Sequence, residues 1–363
     1  MRQALMTCVV LAGAAALAGC GGKTTQPTRQ SAVDVAEAPA PATAHSPGEQ
    51  QDAVAFWTEA RMRSATPIDT LVVAGKPKRD GDPNLPSESG GGPPASAPGT
   101  TTAGVPPTGS VPGRQAPIGV TAEGFGYRKF FWGGNSRSLP ASSIGRLFFK
   151  GANGKNLYSC SGAVVAATNG SLVWTAGHCL YDPELRGYSR SVIFVPGFAN
   201  WKAPFGVWSA RTEVVLVGWK RGSHRYDLGT VVLSRKGGDT IEDVVGAQGI
   251  RWRAAGRPLI DDFGYPGEGQ YDGRYLVVCE GRIGGKAYPD KDVEPDAPAV
   301  IGLGCDMTVG SSGGPWITDL RRARGWGYVT SVNSFRYNGD AGVIYGPYHG
   351  EGAKNLYDYS ERR

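Results

Sequence analysis

The sequence predicts an all-β domain over its last two-thirds, closed by one helix and preceded by a long, largely disordered N-terminal region. Three observations carry this. From about Tyr127 to Tyr359, short β-prone runs alternate with Gly, Asn and Asp. Only 352–363 has helical character. Residues 21–52 and 76–118 are low in complexity, rich in Ala, Pro, Thr, Ser and Gly; such segments bury too little apolar surface to offset chain entropy.

In chain order, Arg2 followed by the apolar stretch Ala4 to Leu17 forms a targeting segment too short to span a bilayer. It ends in Leu17-Ala18-Gly19-Cys20, which resembles a bacterial lipobox. The resemblance implies cleavage before Cys20, lipidation of Cys20, and an exported lipoprotein held on the extracytoplasmic side of a membrane, with release by processing left open. Each buried lipid CH₂ contributes about 0.8 kcal/mol to such an anchor. The expected division is 1–19 signal peptide, 20–118 low-complexity tether, and 119–363 folded domain. Inside the tether an island, 54–62, could form two or three helical turns, and Leu71–Val73 a brief strand. The island fits a pro-segment or a chance amphipathic stretch equally well. In the folded domain the expected strands are 144–149, 161–167, 172–174, 192–195, 213–217 and 230–233. Further strands are expected at 275–280, 314–317, 327–332 and 342–345.

Composition excludes some functions. The formal charge of +6 is modest for 363 residues, and no dense Lys/Arg run carries interleaved aromatics, so nucleic-acid binding is not expected. Of six cysteines, Cys8 and Cys20 fall in the targeting segment. Cys160, Cys179, Cys279 and Cys305 remain, an even number in an exported chain, which implies two disulfides. None has the CxxC spacing of a zinc site. No acidic loop argues for calcium, no cofactor is needed, and a monomer is expected.

Two motifs carry chemistry. Gly310-Ser311-Ser312-Gly313-Gly314-Pro315 places a serine among glycines. Nucleophilic acyl transfer needs a hydroxyl held beside backbone N–H groups aimed at one point, and glycine permits the necessary turns. Ser312 is then the candidate nucleophile, with the N–H groups of Gly310 and Ser312 as the oxyanion hole. Val173-Trp174-Thr175-Ala176-Gly177-His178-Cys179 sets one of only four histidines at the end of an apolar strand.

Together these motifs resemble the chymotrypsin-like (trypsin-like) serine peptidases, over about residues 120–363. Family order is His, Asp, Ser. Asp227, 49 residues beyond His178 and opening an apolar run, matches the expected Asp; Asp182, in a turn before Pro183, is the rival. The resemblance implies two antiparallel six-stranded barrels with the site between them, and a His178, Asp227, Ser312 triad cleaving protein or peptide substrates. It implies pairing of Cys160 with Cys179, leaving Cys279 for Cys305. It assigns Ser331 to the serine that supports the Asp from the second barrel.

Departures matter too. Ser311 stands where animal enzymes carry the Asp that pairs with a freshly cut N-terminus, so that activation switch is absent. In this, and in 305–308 and 344–348, the chain is similar to secreted actinobacterial members. Asp306, six residues before Ser312, matches the acid of trypsin-like pockets and implies Arg/Lys preference. Asn333 replaces a pocket glycine, and Thr330 stands where Glu-preferring members carry a histidine. A catalytically silent, peptide-binding homologue is the alternative.

Overall fold

The computed structural model describes residues 32–68, 71–73, 94–107, 118–121, 125–287, 299–338 and 342–363. The targeting segment, with Cys8 and Cys20, lies outside the described residues. The fold is mostly β. The first half of the folded domain is a closed six-stranded antiparallel barrel, in which Trp208–Val215, Arg190–Pro196, Ile144–Lys150, Leu157–Val165, Leu172–Thr175 and Gly229–Leu233 pair in turn and back to the first. The burial pattern does not alternate: Leu172–Thr175 and Gly229–Leu233 are buried throughout. One face of the latter fills the barrel. The other lies under the C-terminal helix Glu351–Ser360, where the Thr230 and Ser360 hydroxyls share a 2.7 Å bond.

The second half is a twelve-stranded sheet whose ladder does not close, against the expected second barrel. Beyond strand Trp326–Val332 the next two residues bond to different partners. Asn333 exchanges bonds with Gly313 and Gly314 in the nucleophile loop, and the Ser334 N–H donates to Tyr345. The disulfides Cys160–Cys179 and Cys279–Cys305 are both present.

The N-terminal region departs furthest from expectation. From Ala32 the chain packs on the barrel rather than trailing from it. Ala36, Ala40, Ala53, Trp57 and Met62 are buried in the same core as the barrel strands. Ser46 caps helix Pro47–Phe56 through a capping box with Glu49, a second helix spans Glu59–Ser64, and Trp57, between them, donates to Ser191 O at 2.7 Å. Extended pieces add to existing edges: Thr43–Ala44 on Trp208–Val215, Thr66–Pro67 on Leu157–Val165, Leu71–Val73 on Phe335–Tyr337, and Ala95–Ala97 on Gly249–Trp252. A segment too poor in apolar residues to fold alone needs only small side chains and backbone hydrogen bonds to adhere to a formed core.

Candidate active site

Strand register brings the histidine and the aspartate together. Gly229 lies opposite Thr175, so the turns just beyond the strand ends, holding His178 and Asp227, face each other. Gly177 is required there, because a Cβ would meet the Trp219 ring at 2.7 Å. Asp227 is fully buried. Its Oδ1 accepts the His178 backbone N–H at 2.7 Å, and its Oδ2 lies 2.7 Å from His178 Nδ1. Burial pushes the Asp227 carboxyl up. The facing His178 charge and hydrogen bonds from His178 and Ser334 outweigh it, leaving the group below the usual carboxylate range. A carboxylate held in this way keeps the proton on Nδ1 and directs the Nε2 lone pair outward.

The serine that donates to Asp227 Oδ2 is Ser334, at 2.5 Å. Ser331, assigned that role from the sequence, donates to Pro347 O instead, at 2.8 Å. Strand Trp326–Val332 ends just after Ser331, and only past its end does the chain turn toward Asp227. The aromatic that follows Ser334, Phe335, packed edge-on against His224, was the available signal.

The nucleophile loop crosses onto the first barrel. Ser161 N–H donates to Ser312 O at 2.7 Å, and Ser161 Oγ donates to Gly310 O at 2.9 Å. Gly313 has φ 77°, and a Cβ there would strike Thr175 Oγ1 at 2.0 Å, so this close approach admits only glycine. No hydrogen bond joins Ser312 Oγ to His178 Nε2, and both atoms are buried without partners. The Gly310 N–H, expected at the oxyanion hole, donates to Ile68 O at 3.1 Å. A cavity of about 510 Å³ opens beside His178, walled by Ile68, Phe149, Tyr158, Tyr181 and Trp219. Asp182 lies on its rim, and its Oδ1 accepts the Glu184 and Leu185 N–H groups.

The expected pocket residues are placed differently. Asp306 is paired with Lys129 Nζ at 2.6 Å and accepts from Tyr271 OH at 3.0 Å. The disulfide explains this, since Lys129 lies opposite Cys279 in the sheet and Cys279 tethers Cys305, next to Asp306. Asn333 is fully buried and braces the loop: Nδ2 donates to Ser311 O at 3.2 Å and Asp262 Oδ1 at 2.9 Å, while Oδ1 accepts from Trp316 Nε1. Ser311 Oγ donates to Thr308 O. Arg336 is the side chain whose charge interacts with both Asp306 and Asp262, and its Nε and Nη2 are buried without partners. The serine assigned from the sequence thus moves by three residues, from Ser331 to Ser334. Among the described residues, two His/Cys/Asp groups have metal-like spacing, but their sulfurs are joined in the disulfides and offer no thiolate.

No protein-family profile matches the chain. Protease Anisep from Arthrobacter nicotinovorans is similar in structure, with 35% identity over 62% of this chain and 98% of that one, and a TM-score of 0.56. The thermostable serine protease AL20 from an extremophilic microorganism shows 32% identity over 61% of this chain and 97% of that one, with a TM-score of 0.54. Among curated relatives, the extracellular metalloprotease of Bacillus subtilis is 29% identical over 108 residues, 30% of this chain, and the glutamyl endopeptidase of Bacillus licheniformis 30% over 83 residues, 23% of this chain. These matches span only 33% and 25% of those proteins' own lengths. The barrel with its facing sheet, and near-complete coverage of two solved proteases at over 30% identity, place the chain in the chymotrypsin-like serine peptidase family, within its bacterial branch.

Proposed function

We propose that this chain is an extracytoplasmic serine endopeptidase in which His178, Asp227 and Ser312 form the triad, anchored by lipid at Cys20 and made with a pro-segment within residues 20–118. The observation that carries this is the unbroken chain from Ser334 through Asp227 to His178 Nδ1, ending on an Nε2 with no partner, while the neighbouring Cys179 Sγ lies 3.9 Å from Ser312 O. Ser312 Oγ attacks the substrate carbonyl while His178 Nε2 takes its proton. The N–H groups of Gly310 and Ser312 stabilise the oxyanion, each donor being worth on the order of 3 kcal/mol. Collapse of the intermediate leaves an acyl-enzyme on Ser312, and His178 gives the proton to the departing amine. Water, activated by His178, then releases the acid. Two disulfides suit an oxidising compartment. No helix among the described residues is long and apolar enough to cross a membrane.

The pocket supports a different side-chain preference from the one Asp306 alone implied. Lys129 already neutralises Asp306, and Arg336 presents unpaired N–H groups to the same region. A substrate Arg or Lys would meet two cations, whereas Glu or Asp would supply the carboxylate that the Arg336 fork lacks. We infer preference for an acidic residue on the acyl side of the cut, in keeping with the glutamyl endopeptidase relative. Positional-scanning peptide hydrolysis tests it. Cleavage after Glu or Asp, reduced at least tenfold in Arg336→Ala while other cleavage persists, supports the reading. Cleavage after Arg or Lys overturns it.

A further inference from the structure

The catalytic cleft is occupied by the chain's own N-terminal region, and the direction of that occupant matters. Thr66–Pro67 pairs in parallel with Tyr158 and Ser159 on the first barrel, and Ile68 N–H donates to Ser159 O at 3.0 Å. Ile68 O takes the Gly310 N–H, the donor a substrate carbonyl needs. Leu71–Val73 then pairs in parallel with Phe335–Tyr337, the edge strand that follows Ser334 on the second half. Pro67 sits in a notch made by two glycines: a Cβ on Gly267 would meet Pro67 Cγ at 2.5 Å, and one on Gly310 would meet Pro67 Cβ at 3.0 Å.

A productive substrate must run the other way. Its leaving amine has to reach His178 Nε2, so the leaving side lies over the first barrel, which carries His178. The acyl side then lies along the edge strand Phe335–Tyr337. A substrate therefore crosses from the second half to the first as it runs from N- to C-terminus, whereas this segment crosses from the first to the second. We propose that Thr66–Ile68 and Leu71–Val73 form a built-in, reversed-polarity inhibitor, and that the cleft is a binding site for an extended peptide in that orientation. The inference rests on the peptidase reading above. Were Ser312 to attack the Ile68 carbonyl, the amine to be expelled would lie on the side away from His178. It could not be protonated there, so the bond would re-form and the occupant would survive in an otherwise competent site. The oxyanion donor stays engaged until the segment leaves.

The test is the rate at which an alkyl fluorophosphonate labels Ser312 in the full chain, in wild type and in Ile68→Pro, which deletes the N–H that bonds Ser159. The loss of one backbone bond, together with the ring's misfit to the parallel pairing, gives an expected acceleration of about tenfold or more. A synthetic peptide of residues 64–73 added to the variant should restore slow labelling and be recovered uncut. Equal labelling of both proteins at Ser312 would discard the inhibitor while leaving the peptidase intact. Cutting of the added peptide within 66–73 would discard the reversed polarity. Absence of Ser312 labelling in both folded proteins would overturn the peptidase reading itself.

Discussion

Asp227 sits at zero exposure and holds its charge only through the groups around it, so each donor to it should have a measurable catalytic effect. Removing the Ser334 hydroxyl deletes a hydrogen bond to a charged acceptor, worth about 1.5–3 kcal/mol. Ser334→Ala is therefore expected to lower kcat/KM by ten- to a hundredfold and to shift the acid limb of the pH–rate profile. Ser331→Ala, which loses only a bond to Pro347 O, should leave that limb in place. Steady-state kinetics on the two variants checks the assignment. Asp227→Asn should cost about 10⁴ in kcat through the wrong tautomer, as in other triads of this type. The pairing of His178 with Asp227 was legible because a strand-end histidine followed by an aspartate that opens an apolar strand is a rare combination. The supporting serine was not, because two serines three positions apart differ only in where the strand stops.

At the scale of elements, the N-terminal segment is held by polar contacts that depend on pH. His45 Nε2 pairs with the fully buried Glu213 at 2.8 Å. The bond to Glu213, together with the charges of Glu213 and Glu49, raises the His45 pKa above its usual value against the opposing effect of burial. A raised histidine contributes stability that is complete below its unfolded value and is lost as pH rises through the folded one. Protection of residues 43–56 in hydrogen exchange, corrected for intrinsic rates, is thus expected to fall as pH rises above the ordinary histidine range. His45→Ala should remove that dependence. Trp57→Ala, which empties a buried aromatic site, should destabilise by about 3–5 kcal/mol if the segment folds together with the barrel, as read from denaturant midpoints. The ordered helix was partly legible: Ser46 followed three residues later by Glu49 is a capping box, with Pro47 at the first turn. Composition hid it, because the apolar partners of Ala36, Ala53 and Trp57 lie on the barrel, far away in sequence.

For the whole molecule, the two halves are joined by the nucleophile loop and steadied by one disulfide in each. The all-β class and the terminal helix were readable from the residue pattern, and both disulfide pairings from the family resemblance. The open second sheet was not, since no motif reports that Asn333 exchanges backbone bonds with Gly313 and Gly314 while Ser334 donates to Tyr345. The Cys160–Cys179 bridge closes a span of 19 residues that ends beside His178, which should contribute about 3 kcal/mol. Replacing both cysteines with serine is expected to lower Tm by about 10 °C and to reduce kcat more than it raises KM. Calorimetry and kinetics on the same preparation would separate the two effects. The central claim is that Ser312 is an acylating nucleophile, and the most direct measurement is the mass of the chain quenched during turnover of a slow ester substrate. The account predicts one acyl adduct, mapped to the peptide containing Ser312, absent from Ser312→Ala together with at least a thousandfold loss of hydrolysis. Hydrolysis at an equal rate by Ser312→Ala, or an adduct on another residue, would contradict it.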